Sequence, residues 1–378
     1  MRKPRRTSPY RSLAALLTAA ALLLSACAQT AAPLETPANA PDAAAAAPTA
    51  RPRTTPAPTP TPCPHAWQDG VCALCGERCP HEEHDPESAV CLLCGEQRWH
   101  CYEHGVCTGC GREPLLYTGA LPAELLTPSE TPGAVTDGEL RFEGRATPIV
   151  VWTPADYDAG QKYDVLVMLP GDNGDYRGCI STVMNNNEDS YCMASVYDHM
   201  AERHLCAPFI VVGVRNFRGW PADQVVRFLC EGLLPFLAER YATWADDGSE
   251  ESLIAARDHF ALGGTSRGSM QVYELGMGRC LPHFANFGCF SCMTSPLDVA
   301  EALEREENLP YAIRCYVASW GTWEPRGIRL HQYRGFNRLV EESPLLTKGE
   351  NAFGLQINAG HNWIHWGAAV FDALQYFF

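Results

Sequence analysis

The C-terminal part of the sequence predicts an α/β fold with a mostly parallel central sheet and helices on both faces. From about residue 116 onward, short apolar runs alternate with longer helix-like stretches. The apolar runs are continuous, as expected for parallel strands that are buried on both faces. The helix-like stretches between them are typical of crossover connections between parallel strands. These observations favour helices layered on both sides of one sheet.

Seven strand-like and six helix-like runs support this prediction, in chain order. The strand-like runs are residues 147–152, 164–169, 209–214, 259–263, 284–290, 313–319 and 354–358. The helix-like runs are residues 195–203, 223–242, 270–277, 296–306, 332–341 and 366–376. Ligands of such sheets bind outside the carboxyl ends of the strands. Residues that directly follow a strand-like run are therefore the candidates for a functional site.

Composition narrows the class of protein. The chain has 378 residues, of which 46% are hydrophobic and 19% are charged, so most of it should be globular. The net charge of −15 argues against nucleic acid as a partner, because phosphate binding needs a basic surface. The sequence makes no prediction of the oligomeric state.

Residues 1–27 resemble a bacterial lipoprotein signal peptide. A basic start is followed by an apolar stretch at 13–24 and by small residues before Cys27, which is the order of a secretory signal. We expect cleavage before Cys27 and a lipid on its sulfur, which would hold the protein at the outer face of the bacterial cell membrane. An ordinary signal peptide with an incidental cysteine is the alternative. Residues 28–62 are nearly all Ala, Pro and Thr, which predicts a disordered, extended linker.

Residues 63–112 contain a cysteine- and histidine-rich unit repeated three times. Each unit joins a Cys/His pair to a Cys-x-x-Cys-Gly turn, a spacing that lets two thiolates bind one ion. The predicted ligands are Cys63, His65, Cys72 and Cys75, then Cys79, His81, Cys91 and Cys94, then His100, Cys101, Cys107 and Cys110. Four such ligands suit tetrahedral zinc with no open position, so we expect structural zinc. The units resemble the short zinc-ribbon repeats of bacterial surface proteins.

Some ligands of these repeats have alternatives. His84 competes with His81 in the second unit, and either Cys101 or His104 must complete the third. Disulfides are also possible in an exported chain. The eight cysteines beyond residue 112 leave the same choice open, since pairing cannot be read from sequence and buried thiols are equally common.

A G-x-S-x-G pattern occupies residues 264–268, between an apolar run and a helix-like stretch. In this setting the pattern predicts a nucleophile elbow, a sharp turn that exposes a serine above the sheet. Ser266 is therefore the candidate nucleophile, and the backbone N–H of Arg267 is a candidate donor to an oxyanion. The second donor should come from the loop after an early strand, and Asp172 is the candidate there. A glycine- and serine-rich turn without chemistry is the alternative.

A serine nucleophile needs a base and an acid that orients the base. His361 is the candidate base because it follows the last strand-like run in a Gly-containing loop. His365, near the start of the last helix, is the second candidate. Glu324 is the candidate acid because it follows the sixth strand-like run. Asp298 fits better as an acidic residue in the first turn of a helix.

Five segments are similar in order and spacing to the family of esterase D-like enzymes and of the feruloyl and acetyl-xylan esterases of carbohydrate esterase family one. They are residues 165–171, 234–237, 264–268, 321–324 and 360–363. The resemblance covers about residues 140–378 and implies an α/β-hydrolase fold for a domain at 113–378, with no cofactor. It also implies a catalytic triad of Ser266, His361 and Glu324.

The resemblance and the N-terminal segments together lead us to expect a surface-anchored serine esterase. Its expected substrates are carboxylic esters, above all feruloyl or acetyl groups on plant polysaccharide. Two alternatives keep the same residues: an acyltransferase, or a hydrolase of siderophores or small thioesters. A third is a non-catalytic binding protein with a relict hydrolase domain. Tryptophans near the predicted site could stack on a sugar or an aromatic acid, or pack in the core: Trp320, Trp323, Trp363 and Trp366.

Overall fold

The structure of the protein is a computed structural model that describes residues 67–68, 71–74, 79, 84–87, 89–95, 97–172, 175–181 and 191–378. Several sequence predictions fall outside these residues, namely the signal peptide at 1–27 with Cys27, the linker at 28–62, and the ligands Cys63, His65, Cys75 and His81. Within the described part, no helix combines the length and apolar character that crossing a membrane requires.

The centre of the molecule is a sheet of eight strands in the order β12-β11-β10-β9-β7-β8-β6-β5. The six strands from β12 to β8 in this order are parallel, and β6 and β5 complete the sheet as an antiparallel hairpin. The strands are β5 Ala134–Phe142, β6 Arg145–Thr153, β7 Asp164–Leu169, β8 Phe209–Val214, β9 Phe260–Thr265, β10 Asn286–Phe290, β11 Cys315–Gly321 and β12 Ala352–Ile357. This is the α/β-hydrolase fold, and the fold class predicted from the sequence is confirmed.

Helices cover both faces of the sheet. In chain order they are α1 Ala123–Leu126, α2 Met193–Glu202, α3 Ala222–Arg227, α4 Leu234–Arg240, α5 Glu250–Ala255, α6 Arg267–Gln271, α7 Pro296–Leu303, α8 Arg326–Glu342 and α9 Trp363–Phe377. Two wider, π-helical segments extend this set. Phe228–Leu233 joins α3 to α4, and Val272–Met277 continues α6.

Alternation along the strands divides the buried side chains into two hydrophobic cores. In β7, Val165 and Val167 belong to one core, whereas Leu166 and Met168 belong to the other. Helices α3 to α5, α7 and α8 and both π-helical segments pack on the first face, and α1, α2 and α9 pack on the second. Successive side chains of a strand point to opposite faces, so a continuous apolar strand contributes side chains to both cores.

Two short hairpins occur in the described part of the repeat region. The first pairs β1 Trp67–Gln68 with β2 Val71–Cys72, and the second pairs β3 Tyr102–Glu103 with β4 Val106–Cys107. The second hairpin packs on the hydrolase, where Tyr102 is buried. A cleft of about 340 Å³ lies between this hairpin and the amino ends of β11 and β12.

The eight cysteines beyond residue 112 are all free thiols. Seven of the eight beyond residue 112 are buried, and Cys292 is half-buried. The disulfide alternative therefore has no support beyond residue 112, and burial raises the pKa of thiols such as Cys179 and Cys315 to about 12.

Candidate active site

Ser266 lies at the turn between β9 and α6, with φ 50° and ψ −114°. A non-glycine residue with positive φ is strained, and such strain is common at functional sites. The backbone N–H of Ser266 donates to the carbonyl of Phe290 at 2.8 Å, which ties the turn to the end of β10. The turn therefore holds the serine at the carboxyl edge of the sheet.

The two glycines of the G-x-S-x-G pattern are required by close backbone approaches. A Cβ on Gly264 would lie 2.4 Å from the carbonyl carbon of Gly268. A Cβ on Gly268 would lie 2.1 Å from the carbonyl oxygen of Leu169 at the end of β7. Neither position can hold a side chain without moving a strand or helix, as the sequence pattern indicates.

His361 lies in the loop between β12 and α9, and its ring joins two residues from other loops. Its Nε2 is 2.9 Å from Oγ of Ser266, and its Nδ1 is 2.8 Å from Oε1 of Glu324. Asn362 caps the start of α9 with its side chain, which fixes the loop next to the histidine. The structure thus brings together the three residues that the sequence selected as nucleophile, base and acid.

Glu324 follows β11, and its side chain is fully buried. Its Oε2 accepts a hydrogen bond from the backbone N–H of Gly321 at 3.0 Å. Burial alone would raise the pKa of this carboxyl, but hydrogen bonds from His361, His365 and Ser291 outweigh it and lower the pKa to about 2. The group is therefore a carboxylate at neutral pH, as an acid that supports an imidazolium must be.

His365 is a second, fully buried histidine beside Glu324, at 3.5 Å from Nδ1 to Oε1. Its Nε2 is 2.8 Å from Oγ of Ser319, and its Nδ1 is 3.3 Å from Oγ of Ser291. His365 makes no hydrogen bond with Ser266. It contacts the Glu324 carboxylate from the buried side instead. From the sequence, His365 is the second candidate base, and its spacing of four from His361 was the signal for its place beside Glu324.

The loop after β7 packs directly against the serine. A Cβ on Gly171 would lie 3.2 Å from Cβ of Ser266, so this glycine leaves room for the turn. Asn216 donates from Nδ2 to the carbonyl of Gly171 at 2.7 Å and fixes the orientation of that peptide. The Asp172 side chain accepts from Nε of Arg267 at 3.2 Å. The backbone N–H groups of Arg267 and Asp172 remain predicted oxyanion donors, and Asn216 is a support that the sequence did not suggest.

The four tryptophans near the site divide between core and surface. Trp320 is buried beside Phe336, and Trp363 is nearly buried against Trp366. Trp366 meets the His361 ring edge-on at 5.0 Å between centroids and donates from Nε1 to Oγ of Ser291. Trp323 is 74% exposed, and its Nε1 donates to Oδ1 of Asn358. Trp323 is thus held in place with its ring face open to solvent.

The acidic residue Asp298 and two further histidines, His259 and His283, lie apart from this group. Asp298 lies in the first turn of α7, as expected from the sequence. His259 contacts Asp164 at 2.6 Å at the amino edge of the sheet. His283 contacts Glu250 at 3.0 Å near α5.

Among the residues of the repeats that the structure describes, cysteines and histidines form two groups whose ligand atoms could hold a metal ion. One contains Cys79, Cys91 and Cys94. The other contains His84, His100, Cys107 and Cys110, so that His84 takes the position for which the sequence offered Cys101 or His104. Cys72 of the first unit is buried, and its predicted co-ligands lie outside the described residues.

The chain thus has an α/β-hydrolase fold. A serine, a histidine and a glutamate lie in hydrogen-bond contact at the carboxyl edge of its sheet. No protein-family model matches the chain. Endo-1,4-beta-xylanase Y of Acetivibrio thermocellus is 25% identical over 247 residues, which make up 60% of this chain and 21% of the xylanase. The chain therefore spans about a fifth of the length of this curated relative.

Two solved structures similar to the chain are esterases by name. The feruloyl esterase module from Clostridium thermocellum, complexed with sinapinate as a mutant, has a TM-score of 0.59 and 21% identity, covering 70% of this chain and 94% of that one. A CE1 ferulic acid esterase from Anaeromyces mucronatus has a TM-score of 0.52 and 15% identity, covering 69% of this chain and 97% of that one. At this level of identity, the likeness shows a shared fold.

Proposed function

We propose that the chain is a serine esterase that hydrolyses carboxylic esters on plant polysaccharide. The observation that carries the proposal is the hydrogen-bonded series from Glu324 through His361 to Ser266, with separations of 2.8 and 2.9 Å. A serine hydroxyl becomes a useful nucleophile when a base accepts its proton and a carboxylate orients that base. The strained conformation of Ser266 adds support, because it presents the hydroxyl to a substrate.

The proposed reaction follows from these contacts. Oγ of Ser266 attacks the ester carbonyl while Nε2 of His361 accepts the hydroxyl proton. Backbone N–H groups of Arg267 and of the Gly171–Asp172 loop donate to the oxyanion of the tetrahedral intermediate. His361 then gives its proton to the leaving alcohol, and an acyl-serine remains. Water attacks the acyl-serine with His361 as base, which releases the acid and restores the serine.

The substrate class rests on three kinds of support. The curated relative is a xylanase, and the similar structures are named feruloyl or ferulic acid esterases. The exposed ring of Trp323 offers a stacking surface for an aromatic acid or a sugar. The lipobox-like segment before Cys27 and the linker after it suit an enzyme anchored at the bacterial cell surface, where such polymers are met. Feruloyl and acetyl groups are the proposed acyl groups.

Labelling with a fluorophosphonate probe, together with hydrolysis of methyl ferulate, acetylated xylan and nitrophenyl acetate, tests the proposal. The wild type should be labelled and should hydrolyse at least one ester. Ser266→Ala should lose the label and at least about 10⁴-fold in kcat. Ser295→Ala, which removes the capping serine of α7, should be labelled like the wild type.

Absence of labelling in the wild type would favour a non-catalytic binding protein. Labelling without hydrolysis of the aryl and sugar esters, but with transfer to an added alcohol or cleavage of a thioester, would favour an acyltransferase or a thioester hydrolase.

A further inference from the structure

We propose that His84, His100, Cys107 and Cys110 form one closed zinc site, in which a histidine of the second repeat completes the third. The inference does not depend on the esterase proposal. It changes the organisation predicted from the sequence, in which each repeat supplies all four ligands of its own ion.

The distances within the group fit a single tetrahedral ion. Nε2 of His84 is 3.2 Å from Nδ1 of His100 and 3.3 Å from Sγ of Cys107. Sγ of Cys110 is 3.5 Å from Nδ1 of His100. With Zn–N near 2.0–2.1 Å and Zn–S near 2.3 Å, tetrahedral ligand atoms lie about 3.3–3.8 Å apart. These three separations lie in or close to that range, and all four ligand atoms lie within 4.8 Å of one another, so the group can hold one ion.

Gly109 explains why the ring of His84 fits here. A Cβ at Gly109 would lie 2.4 Å from Cε1 and Nδ1 of His84. The same position of the other two Cys-x-x-Cys turns holds Leu74 and Leu93, which are 65% and 54% exposed. The third turn thus has glycine at the position where a larger side chain would exclude the ring of a histidine from another repeat.

The ligands that the third unit could supply from its own sequence do not join the group. Neither Cys101 nor His104 has a ligand atom among those that lie close together in the described residues. His104 lies in the turn of the β3–β4 hairpin with φ 51°, followed by Gly105 with φ 79°. This turn directs the chain back toward Cys107 and leaves His104 exposed. Variants of His104 and Cys101 can therefore serve as controls in a metal-binding experiment.

The second group of thiols follows the same geometry. The Sγ atoms of Cys79 and Cys91 are 3.7 Å apart, whereas a disulfide requires about 2.05 Å. Such a separation fits two thiolates on one zinc ion. His84 lies between Cys79 and Cys91 in sequence. The repeat that supplies the thiols of this second site therefore also supplies a ligand to the site of the third repeat. The two repeats are therefore interlocked.

The proposed zinc site also adjoins the hydrolase. The backbone N–H of His100 donates to the carbonyl of His204, which follows α2, at 3.0 Å. Tyr102, two residues further, is buried against the hydrolase. An ion bound by His100 therefore orders the segment through which the repeats contact the larger domain, and metal binding contributes to folding there.

Zinc content of the purified full chain tests the ligand set. His84→Ala should lose one equivalent of zinc relative to the wild type, and Gly109→Ala should lose the same ion by excluding the ring. Cys101→Ser, His104→Ala and Thr108→Ala should keep the wild-type content. A full complement in His84→Ala, or loss of one equivalent in Cys101→Ser, would overturn the assignment.

A rescue variant separates ligand loss from misfolding. His84→Cys keeps a metal ligand, so it should retain zinc where His84→Ala does not. After substitution with cobalt, its thiolate-to-metal absorption should rise, because three thiolates would bind where two bind in the wild type. An unchanged cobalt spectrum in His84→Cys would contradict the proposal even if both variants were folded.

Discussion

The carboxylate of Glu324 lies between two histidines, and only one of them contacts the serine. His361 joins Glu324 to Ser266, while His365 contacts the carboxylate from the buried side. With a pKa of about 2, Glu324 stays charged across the range in which enzymes are usually assayed. A fall in activity at mildly acidic pH would therefore have to come from another group.

Glu324→Gln should lower kcat by about 10³–10⁴-fold without unfolding the protein, because an amide cannot stabilise the imidazolium as a carboxylate does. Rates of hydrolysis of the ester that the wild type prefers provide the measurement. Glu341→Gln, at the exposed end of α8, is the matched control and should leave kcat unchanged. Equal rates for wild type and Glu324→Gln would remove Glu324 from the proposed mechanism.

Single residues of the site were predictable where they follow a strand. Ser266, His361 and Glu324 each lie a few residues after the end of a strand-like run, and parallel strands end at the same edge of the sheet. The supporting residues were not predictable in this way. Asn216 and His365 act on loops that are distant in sequence, so their contacts exist only once the chain is folded.

The junction of β7, β9 and α6 depends on glycine at the element scale. Gly268→Ala should destabilise the protein by more than about 2 kcal/mol, because its Cβ would overlap the Leu169 carbonyl and force the backbone to shift. Urea unfolding followed by circular dichroism gives the free energy of unfolding. Gly327→Ala, in α8, meets no atom within 4 Å and should leave the stability unchanged or raise it by up to about 1 kcal/mol. Similar stability of both variants would contradict the close packing at the elbow.

Buried elements were predicted with closer bounds than exposed ones. The predicted and observed bounds of β7 and β8 agree, because both strands are apolar throughout and buried on both faces. Strand β5 was not predicted, since its residues are nearly all exposed and its pattern contains no apolar run. Helix α8 begins at Arg326, six residues before the predicted start at 332, because its first turns carry few apolar residues.

At the scale of the whole molecule, the segment after the repeats is hydrogen-bonded to the C-terminal helix α9. The backbone N–H of Leu115 donates to Oε1 of Gln375 at 2.8 Å, and Nε2 of Gln375 donates back to the Leu115 carbonyl at 2.8 Å. Two residues later, the N–H of Tyr117 donates to Oδ1 of Asp372 at 2.9 Å. Residues separated by about 255 positions thus meet at one face of α9.

Asp372 gives this attachment a pH dependence. Burial raises the pKa of Asp372 well above its ordinary value, although the hydrogen bond from Tyr117 opposes the shift. A carboxyl with a raised pKa in the folded state contributes stability at low pH and loses it as the pH rises through the folded pKa. Asp372→Asn should therefore be more stable than the wild type at pH 8 and about equal to it at pH 4.

Thermal unfolding of both proteins at the two pH values measures this difference. Asp246→Asn removes a carboxylate whose side chain is 91% exposed, and it should change the melting temperature little at either pH. A destabilised Asp372→Asn at pH 8 would show that the carboxylate is charged and favourable in the folded protein.

The sequence predicted the fold class because parallel, doubly buried strands have a simple apolar signature. It did not predict how the repeats contact the hydrolase, or that His84 of the second repeat lies against His100 and Cys107 of the third. Those features depend on the folded positions of His84 and His204, which have no local pattern of their own. Three equivalent repeats in a sequence therefore do not imply three independent units.

Hairpin β3–β4 and the candidate catalytic residues lie at opposite ends of the strands. Hairpin β3–β4 adjoins the amino ends of β11 and β12, whereas Glu324 and His361 follow their carboxyl ends. Six residues of strand separate the two ends by about 20 Å. A long ligand that reaches Ser266 from the carboxyl ends of the strands would therefore not meet this hairpin.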